Sequence, residues 1–228
     1  MKAAARALLH PAAKPLLFAA CLLPFAWLVY GIFADRLGAN PAEYLIRSTG
    51  DWTLRFLCIT LAVTPLRELA GLPPLVRFRR MLGLFTYFYV VLHLVCYSLF
   101  DMGLDFPEIA KDIAKRPFIL VGFTGFLLLT LLAATSFNGA IRALGARRWQ
   151  QLHKLVYVVA FLGILHFFWM RAGKNDFAEV AVYAAILAVL LGWRVVRRVR
   201  GGGRPVPAGS RGSALARDGS PGFPPPRE

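Results

Sequence analysis

The chain has 228 residues, of which 57% are hydrophobic, and its mean hydropathy is +0.56. Ordinary soluble domains contain about 45 to 50% apolar residues, so the composition predicts a membrane protein. The net charge of +15 suggests nucleic-acid binding in a soluble protein, but here the basic residues form short blocks between apolar segments. The positive-inside bias of membrane proteins explains those blocks, so we expect membrane lipid and no nucleic acid as a partner.

The three cysteines, Cys21, Cys58 and Cys96, each lie within an apolar segment, and the chain contains neither CxxC nor CxxCH. This pattern argues against a disulfide framework, a zinc site and covalently attached c-type haem. We interpret the cysteines as small buried apolar residues, which is how free cysteine usually behaves.

Six segments are predicted to cross the membrane as helices, on the basis of their length and apolar content. They are Pro15–Ala34, Trp52–Pro65, Leu82–Phe100, Pro117–Thr135, Trp149–Trp169 and Phe177–Trp193. Pro24 is expected to kink the first helix and Pro65 to mark the end of the second. The segments Asp35–Asp51 and Asp101–Arg116 are expected to be loops, and a basic turn is expected from Asn138 onward.

The distribution of basic residues gives the orientation of this all-α bundle. If both termini and the segments after the second and fourth helices share one side, that side holds most of the 27 Lys and Arg residues and is cytoplasmic. We therefore divide the chain into a cytoplasmic N-terminus (1–14), a six-helix transmembrane domain (15–200) and a Gly- and Pro-rich cytoplasmic tail (201–228), whose composition predicts disorder. Lys2, Arg6 and Lys14 precede the first segment, as positive charges do in a signal peptide, but the length of the segment predicts an uncleaved helix.

Three of the four histidines, His93, His153 and His166, lie in apolar segments that are predicted to be intramembrane. An ionisable side chain at the centre of a bilayer costs about 2.5 to 3.5 kcal/mol on insertion scales, so such residues usually face a bundle interior and have a partner there. Neutral imidazole is the commonest protein ligand for metals, and helix bundles build cofactor sites from facing side chains. We therefore predict a b-type haem held between helices.

The depths of the histidines indicate how they pair. His153 and His166 are about 19.5 Å apart along a helix axis and about 220° apart around it, so they cannot ligate one haem together. From the predicted cytoplasmic ends of their helices, His93 lies about 16 Å deep, His166 about 24 Å and His153 about 5 Å. We predict that His93 and His166 are the axial ligands of a haem in the outer half of the membrane. His153 is then a ligand of a second haem, a group beside a flavin or quinone, or a partner in an interhelical hydrogen bond.

Four arginines are candidates for binding the anionic groups of cofactors. Arg55 lies about one turn inside the outer end of the second predicted helix, where its guanidinium group can pair with a haem propionate or extend to the lipid headgroups. Arg77, Arg79 and Arg80 lie in the linker before the third helix and can bind a flavin phosphate. The positive-inside rule explains the same cluster without any ligand.

Several short motifs match those of a known family in order and in spacing. They are Trp52–Phe56 (WTLRF), Thr64–Arg67 (TPLR), Arg79–Leu84 (RRMLGL), Tyr89–His93 (YVVLH), Arg116–Ile119 (RPFI), Thr135–Ser136, Arg148–Tyr157 (RWQQLHKLVY) and Leu165–Trp169 (LHFFW). On these motifs, residues 45–195 resemble the MsrQ family, formerly YedZ, of haem-binding membrane subunits within the ferric-reductase-like transmembrane superfamily. The N-terminal helix is similar only in character, and the tail lies outside the resemblance.

The resemblance implies a six-helix protein of the bacterial inner membrane with haem b and FMN as cofactors. It also implies electrons taken from the quinone pool, or from a cytosolic flavin donor, and delivered to MsrP, a periplasmic molybdopterin-containing subunit that reduces methionine sulfoxide in oxidised envelope proteins. The family's haem-ligand role carries over onto His93, His153 and His166. The wider superfamily usually places paired histidines so that each helix serves two haems, and the interval between His153 and His166 departs from that spacing.

The resemblance therefore implies a non-catalytic electron-transfer subunit. The alternative is a stand-alone ferric reductase or oxidase, which needs its own flavin and nucleotide domain; the short segment after the sixth helix, with no GxGxxG, predicts an external donor instead. A transporter with histidine proton relays is a third interpretation, but no convincing internal repeat is present. The outer segments Asp101–Arg116 and Arg171–Asp176 are predicted to form the docking surface for the periplasmic partner.

Overall fold

A computed structural model of the chain describes residues 2–173 and 175–201. This part of the chain is all-α, and it contains no strand. Internal contacts divide the chain into two units, residues 1–194 and 195–228, and the described part of the second unit is the end of the last helix. The disordered tail predicted from residue 201 onward lies outside the described residues, apart from Gly201 itself.

Nine α-helices account for most of the described residues. They are α1 (Lys2–Leu9), α2 (Ala13–Phe33), α3 (Pro41–Leu69), α4 (Arg79–Cys96), α5 (Phe106–Lys115), α6 (Pro117–Ala134), α7 (Asn138–Leu152), α8 (Val156–Ala172) and α9 (Ala178–Gly201). A 3₁₀-helix, Pro73–Phe78, precedes α4, and a π-helical turn, Tyr97–Asp101, extends it. A short 3₁₀ turn, His153–Leu155, joins α7 to α8.

Five helical segments in the described part of the chain are long and apolar enough to cross a membrane. They are Ala13–Phe33, Pro73–Asp101, Pro117–Ala134, Asn138–Ala172 and Ala178–Arg200. These segments indicate a multi-pass membrane protein. Helix α3, which contains the second predicted span, is not among them, because it includes charged residues such as Arg47, Asp51 and Arg55.

Helix α3 is nevertheless the central helix of the bundle. Its buried residues, from Leu45 to Pro65, extend over most of its length. It packs along α4, while α6 packs along α8, and α4 also contacts α6. The two helix pairs therefore form a four-helix core, with apolar clusters centred on Leu61 and on Tyr89.

Two segments that were predicted to be loops are partly helical. The predicted loop Asp35–Asp51 contains the first third of α3, which begins after Asn40, and the Asn40 side chain accepts a hydrogen bond from the Glu43 N–H at 3.1 Å. The predicted loop Asp101–Arg116 contains α5, where Asp105 caps the Glu108 N–H at 3.0 Å. Each cap satisfies an amide that the first turn of a helix leaves without a partner. Both loop predictions were therefore wrong over these parts.

The predicted end of the second helix and the predicted basic turn also differ from the structure. Helix α3 continues through Pro65 to Leu69. The basic segment after the fourth span is α7, in which Gly145 adopts φ 73° and ψ 150° and bends the chain. A positive φ favours glycine because it has no Cβ. The chain therefore changes direction at Gly145, within the segment that was predicted to be a turn.

The predicted kink residue Pro24 lies where a side chain from α4 bonds to the backbone of α2. The Tyr89 hydroxyl group donates to the Cys21 carbonyl at 2.9 Å and accepts from the Phe25 N–H at 3.1 Å. Tyr89 is fully buried, and its ring stacks on Phe56 with ring centres 5.1 Å apart. Polar side chains that bond to backbone groups beside a proline are one way in which membrane helices tolerate that residue.

Candidate functional site

The structure brings His93 of α4 and His166 of α8 together. Their ring centres are 6.2 Å apart, and the ring planes are inclined at 81°. The depth argument from the sequence predicted this pairing of neighbours. Both residues keep some exposure, and both line the same cavity.

Backbone carbonyl groups fix the orientation of both rings. The Nδ1 atom of His93 lies 2.9 Å from the Ile46 oxygen of α3, and the Nδ1 atom of His166 lies 2.7 Å from the Phe118 oxygen of α6. A carbonyl oxygen can only accept, so each Nδ1 carries the proton and each Nε2 keeps its lone pair. This is the arrangement in which a neutral histidine binds a metal, with the second ring nitrogen held by an outer hydrogen bond.

Two glycines allow the imidazole rings to approach the neighbouring helices. A Cβ atom on Gly122 of α6 would lie 2.7 Å from the His166 Nδ1 atom, and one on Gly50 of α3 would lie 3.2 Å from the His93 Nδ1 atom. A larger residue at Gly122 therefore overlaps the His166 ring. Sequence reasoning missed both glycines, since only the packing of the folded helices shows which ring each one faces.

A cavity of ≈ 460 Å³ adjoins the two histidines. Most of its lining comes from the N-terminal halves of α3 and α6 and the C-terminal halves of α4 and α8, so the cavity lies toward one end of the antiparallel bundle and extends past its middle. Apolar side chains line the deep part, including Leu57, Leu129 and Val159. Ligand pockets typically have volumes of about 300 to 1,000 Å³ and combine mostly apolar walls with a few polar groups.

The histidines and the cavity fit a haem. A metal ion bound to two imidazole nitrogens at about 2 Å from each holds the two ring centres about 6 Å apart, which agrees with the observed 6.2 Å. His93 and His166 would hold the haem iron through their Nε2 atoms, and the porphyrin would supply its other ligands. The apolar walls suit the porphyrin faces, and the charged residues that line the cavity suit its carboxylates.

Arg55, the propionate partner suggested by the sequence, does not line this cavity. Its Nε–H group donates to the Tyr183 hydroxyl group of α9 at 3.0 Å, and its guanidinium group lies 4.7 Å from the centre of the Trp52 ring. The arginines that do line the cavity are Arg47, Arg116 and Arg171. The sequence offered one signal for Arg171: it follows His166 by five residues, near the end of the same apolar segment.

His153 lies at the opposite end of the bundle, where α6 ends and α8 begins. Its Nε2 atom is 3.2 Å from the Thr135 hydroxyl oxygen, and its ring stacks on Trp149 with ring centres 4.0 Å apart. The Trp149 indole N–H donates to the Thr135 carbonyl at 2.8 Å. The structure therefore separates His153 from the pair formed by His93 and His166.

The three predicted flavin-binding arginines differ in their surroundings. Arg77 donates to the Leu8 carbonyl of α1 at 2.8 Å and lies over the Phe78 ring, so it joins the N-terminal helix to the bundle. Arg80 donates to the Asn138 side chain of α7 at 2.9 Å. Arg79 and Arg80 are both exposed. These two arginines lie at the same end of the bundle as His153, since they begin α4.

Comparison with known proteins decides the family. The family described as ferric reductase like transmembrane component matches residues 49–164. A protein of Polaromonas naphthalenivorans (strain CJ2), named protein-methionine-sulfoxide reductase heme-binding subunit MsrQ, is 74% identical over 188 residues, which cover 82% of this chain and 86% of the relative. The chain belongs to the MsrQ family.

Other members of the MsrQ family are similar over much the same length. The relative from Ralstonia nicotianae (strain ATCC BAA-1114 / GMI1000) is 61% identical over 76% of this chain and 80% of its own length. The relative from Herminiimonas arsenicoxydans is 56% identical over 80% of this chain and 84% of its own length. Both relatives carry the same name, heme-binding subunit MsrQ. No solved structure matches the chain.

Proposed function

We propose that this chain is the haem b-binding membrane subunit that transfers electrons within a protein-methionine-sulfoxide reductase system. The observation that carries the proposal is the facing pair His93 and His166, with both Nδ1 atoms bonded to backbone carbonyls beside a cavity of ≈ 460 Å³. Membership of the MsrQ family supports it, because the relatives are named heme-binding subunits of such a reductase.

The protein groups at this site hold and tune the cofactor. When bound, the haem supplies a one-electron carrier. The carbonyl oxygens of Ile46 and Phe118 fix the tautomer of the two histidines and increase the basicity of their Nε2 atoms. Gly50 and Gly122 leave room for the rings against α3 and α6, and apolar side chains line the deep part of the cavity. Because both histidines would be engaged in holding the iron, the site would supply electron transfer rather than chemistry on a bound substrate.

We also propose that α3 is a sixth membrane span. With 29 residues it is about 43 Å long, which exceeds the roughly 30 Å hydrocarbon core. Its Arg55 bonds to Tyr183 inside the bundle rather than facing lipid, and charged groups within membranes usually face the interior.

Six spans place both termini on the cytoplasmic side of the inner membrane, together with the basic residues of α7 and of the linker before α4. The cavity then lies in the periplasmic half.

Electrons are proposed to reach the haem from the cytoplasmic end. His153 and the exposed Arg79 and Arg80 lie at that end. The two arginines can bind the phosphate of FMN, since guanidinium groups bind phosphate well, and a second haem, a flavin or a quinone is proposed to bind beside His153. The proposed donor is the quinone pool or a cytosolic flavin, and the proposed acceptor is a periplasmic molybdopterin subunit of the MsrP type.

The acceptor is proposed to dock on the outer segments Asp101–Arg116 and Arg171–Asp176. A hydrogen-bonded chain connects α5 to the cavity, because the Tyr97 hydroxyl group donates to Asp112 at 2.7 Å and Arg116 pairs with Asp112 at 2.8 Å. Tyr97 and Arg116 both line the cavity. Charge reversal at the exposed Lys111 tests this surface: electron transfer to the acceptor is expected to slow, while the haem spectrum stays unchanged.

The proposed cofactor is tested by the visible spectrum of the purified protein. Wild-type protein in detergent is expected to give a b-type reduced-minus-oxidised spectrum, with haem quantified as the pyridine haemochrome. His93→Ala and His166→Ala are each expected to abolish the six-coordinate signal. His10→Ala is the matched control, because His10 is an exposed histidine outside the bundle core. A wild-type protein that stays colourless when haem is supplied contradicts the proposal.

A further inference from the structure

The part of the cavity lining closest to the ends of the helices is rich in charge. It contains three arginines and two acids, Arg47, Asp51, Asp101, Arg116 and Arg171. Arg47 forms an ion pair with Glu43 one turn before it, and Arg116 pairs with Asp112 while its side chain remains 55% exposed. The Arg171 side chain, by contrast, is only 11% exposed. Of these three arginines, Arg171 is therefore the most deeply buried.

The guanidinium group of Arg171 is only partly satisfied. Its Nη1 atom lies 3.3 Å from an Asp176 oxygen, and its Nη2 atom lies 2.5 Å from a Glu179 oxygen. Its Nε atom is buried and has no hydrogen-bond partner among the described residues. The Cζ atom of Arg171 lies 5.4 Å from the centre of the Phe167 ring, which also lines the cavity. A buried donor on a charged group, beside a cavity and without an acceptor, points to a ligand.

The two acids fix Arg171 without using its whole hydrogen-bonding capacity. Asp176 and Glu179 occupy the two terminal nitrogens from the α9 side, and both acids are about half exposed. Arginine forms its strongest contacts with carboxylates and phosphates. A carboxylate on a ligand in the cavity is therefore the acceptor that best suits the Nε–H group, and a haem carries two carboxylates.

We propose that Arg171 binds a propionate carboxylate of the haem through its Nε–H group. This inference rests on the proposed haem-binding function. It assigns to Arg171 the role that the sequence suggested for Arg55, whose Nε–H already donates to Tyr183. Arg171 then anchors the periplasmic edge of the haem, while His93 and His166 hold the iron.

The test compares haem with its dimethyl ester, which has the same iron and ring but no free carboxylates. Apoprotein is loaded with either compound, and the rate of loss to excess apomyoglobin is followed by absorbance. For Arg171→Met, natural haem is expected to leave about tenfold to a hundredfold faster than from wild type, which is the range for a hydrogen bond to a charged group. The ester is expected to leave both proteins at similar rates. Arg171→Lys keeps a cation for the two acids and is expected to behave like Arg171→Met, though less strongly.

Arg55→Met is the matched control, and it is expected to leave the preference for natural haem over the ester unchanged. Equal acceleration of both compounds in Arg171→Met and in Arg171→Lys overturns the assignment, because a merely structural arginine affects the two alike. That result leaves the proposed function intact, since wild type still holds haem. If wild type takes up neither compound, the proposed function and this inference both fail.

Discussion

Arg194 of α9 donates a hydrogen bond to the backbone oxygen of Leu61 in α3, the carbonyl group that Pro65 leaves without a helical donor. Proline lacks the N–H that bonds four residues back, and a buried carbonyl without a donor destabilises the fold. The same guanidinium group bonds the Leu190 carbonyl at 2.9 Å and lies 5.7 Å from the centre of the Tyr157 ring. One arginine thus joins three helices at the proline of α3.

Removing this hydrogen bond is expected to destabilise the bundle. Arg194→Met leaves the Leu61 oxygen without a donor and should lower the free energy of unfolding by about 1 to 3 kcal/mol. Pro65→Ala supplies the missing helical N–H, so the same change at Arg194 should cost less in that background. Thermal unfolding in detergent, followed by circular dichroism, measures all four proteins of the cycle. Strictly additive effects of the two substitutions argue against a shared carbonyl.

A second prediction concerns the hydroxyl group of Tyr89. Tyr89→Phe keeps the ring stacked on Phe56 but removes both hydrogen bonds to α2, at Cys21 and Phe25. A buried backbone group that loses its partner costs about 1 to 3 kcal/mol, so the melting temperature should fall clearly while the helix content of the folded protein stays the same.

Tyr87→Phe is the control for this effect. Tyr87 lies on the same helix and stacks on Phe126 with ring centres 6.3 Å apart, but its hydroxyl group makes no hydrogen bond within the described part of the chain. The substitution there should change the melting temperature little. If the two tyrosine variants lose the same stability, the hydroxyl contact with α2 contributes nothing specific.

The helix starts show how far the sequence alone can predict this fold. Asn40 and Asp105 are each followed three residues later by Glu, which is the pattern of a helix N-terminus. The sequence therefore contained the signals for the starts of α3 and α5, although both segments were predicted to be loops. The contacts of Tyr89 and Arg194 with distant carbonyls were not. They depend on which helices become neighbours, and apolar periodicity does not contain that information.

A third prediction tests the close packing of Gly122 against His166. In Gly122→Ala the new methyl group lies 2.7 Å from the Nδ1 atom of His166, and overpacking of this kind typically costs about 1 to 3 kcal/mol. The ring must turn away from the Phe118 oxygen, so the six-coordinate haem signal should weaken or become high-spin. Electron paramagnetic resonance of the ferric protein measures that change.

Gly83→Ala is the matched control for Gly122→Ala. A Cβ atom at Gly83 lies at an ordinary contact distance, 3.8 Å, from the Thr60 methyl group, and Gly83 does not line the cavity. The control protein should keep the wild-type resonance signal. A Gly122→Ala protein with an unchanged signal shows that the His166 ring is not held in this position.

Depth along the helices was sufficient to predict that His93 and His166 are neighbours, because intervals along a helix convert directly into distance. The arginines near the cavity could not be sorted in the same way. The sequence predicted that Arg55 lies near a helix end, but it lies in the middle of α3. Only the folded chain shows that its Nε–H donates to Tyr183, whereas the Nε–H of Arg171 has no acceptor among the described residues. The side-chain partners, rather than the positions, distinguish them.

The last prediction concerns electron input at the end of the bundle that holds His153. Because His153 is separated from the pair of His93 and His166, His153→Ala should leave the signal of that pair unchanged. Reduction by reduced FMN, followed by stopped-flow absorbance, should slow by about an order of magnitude, or about 1.4 kcal/mol in the barrier. Thr135→Val keeps the imidazole but removes its hydroxyl partner at 3.2 Å, together with that hydroxyl group's bonds to the Leu131 and Leu132 carbonyls, and should have a smaller effect. If His153→Ala loses the haem signal of the His93 and His166 pair, His153 supports that site rather than electron input. If the rate of reduction is unchanged, His153 has no redox role. Either result places electron input elsewhere.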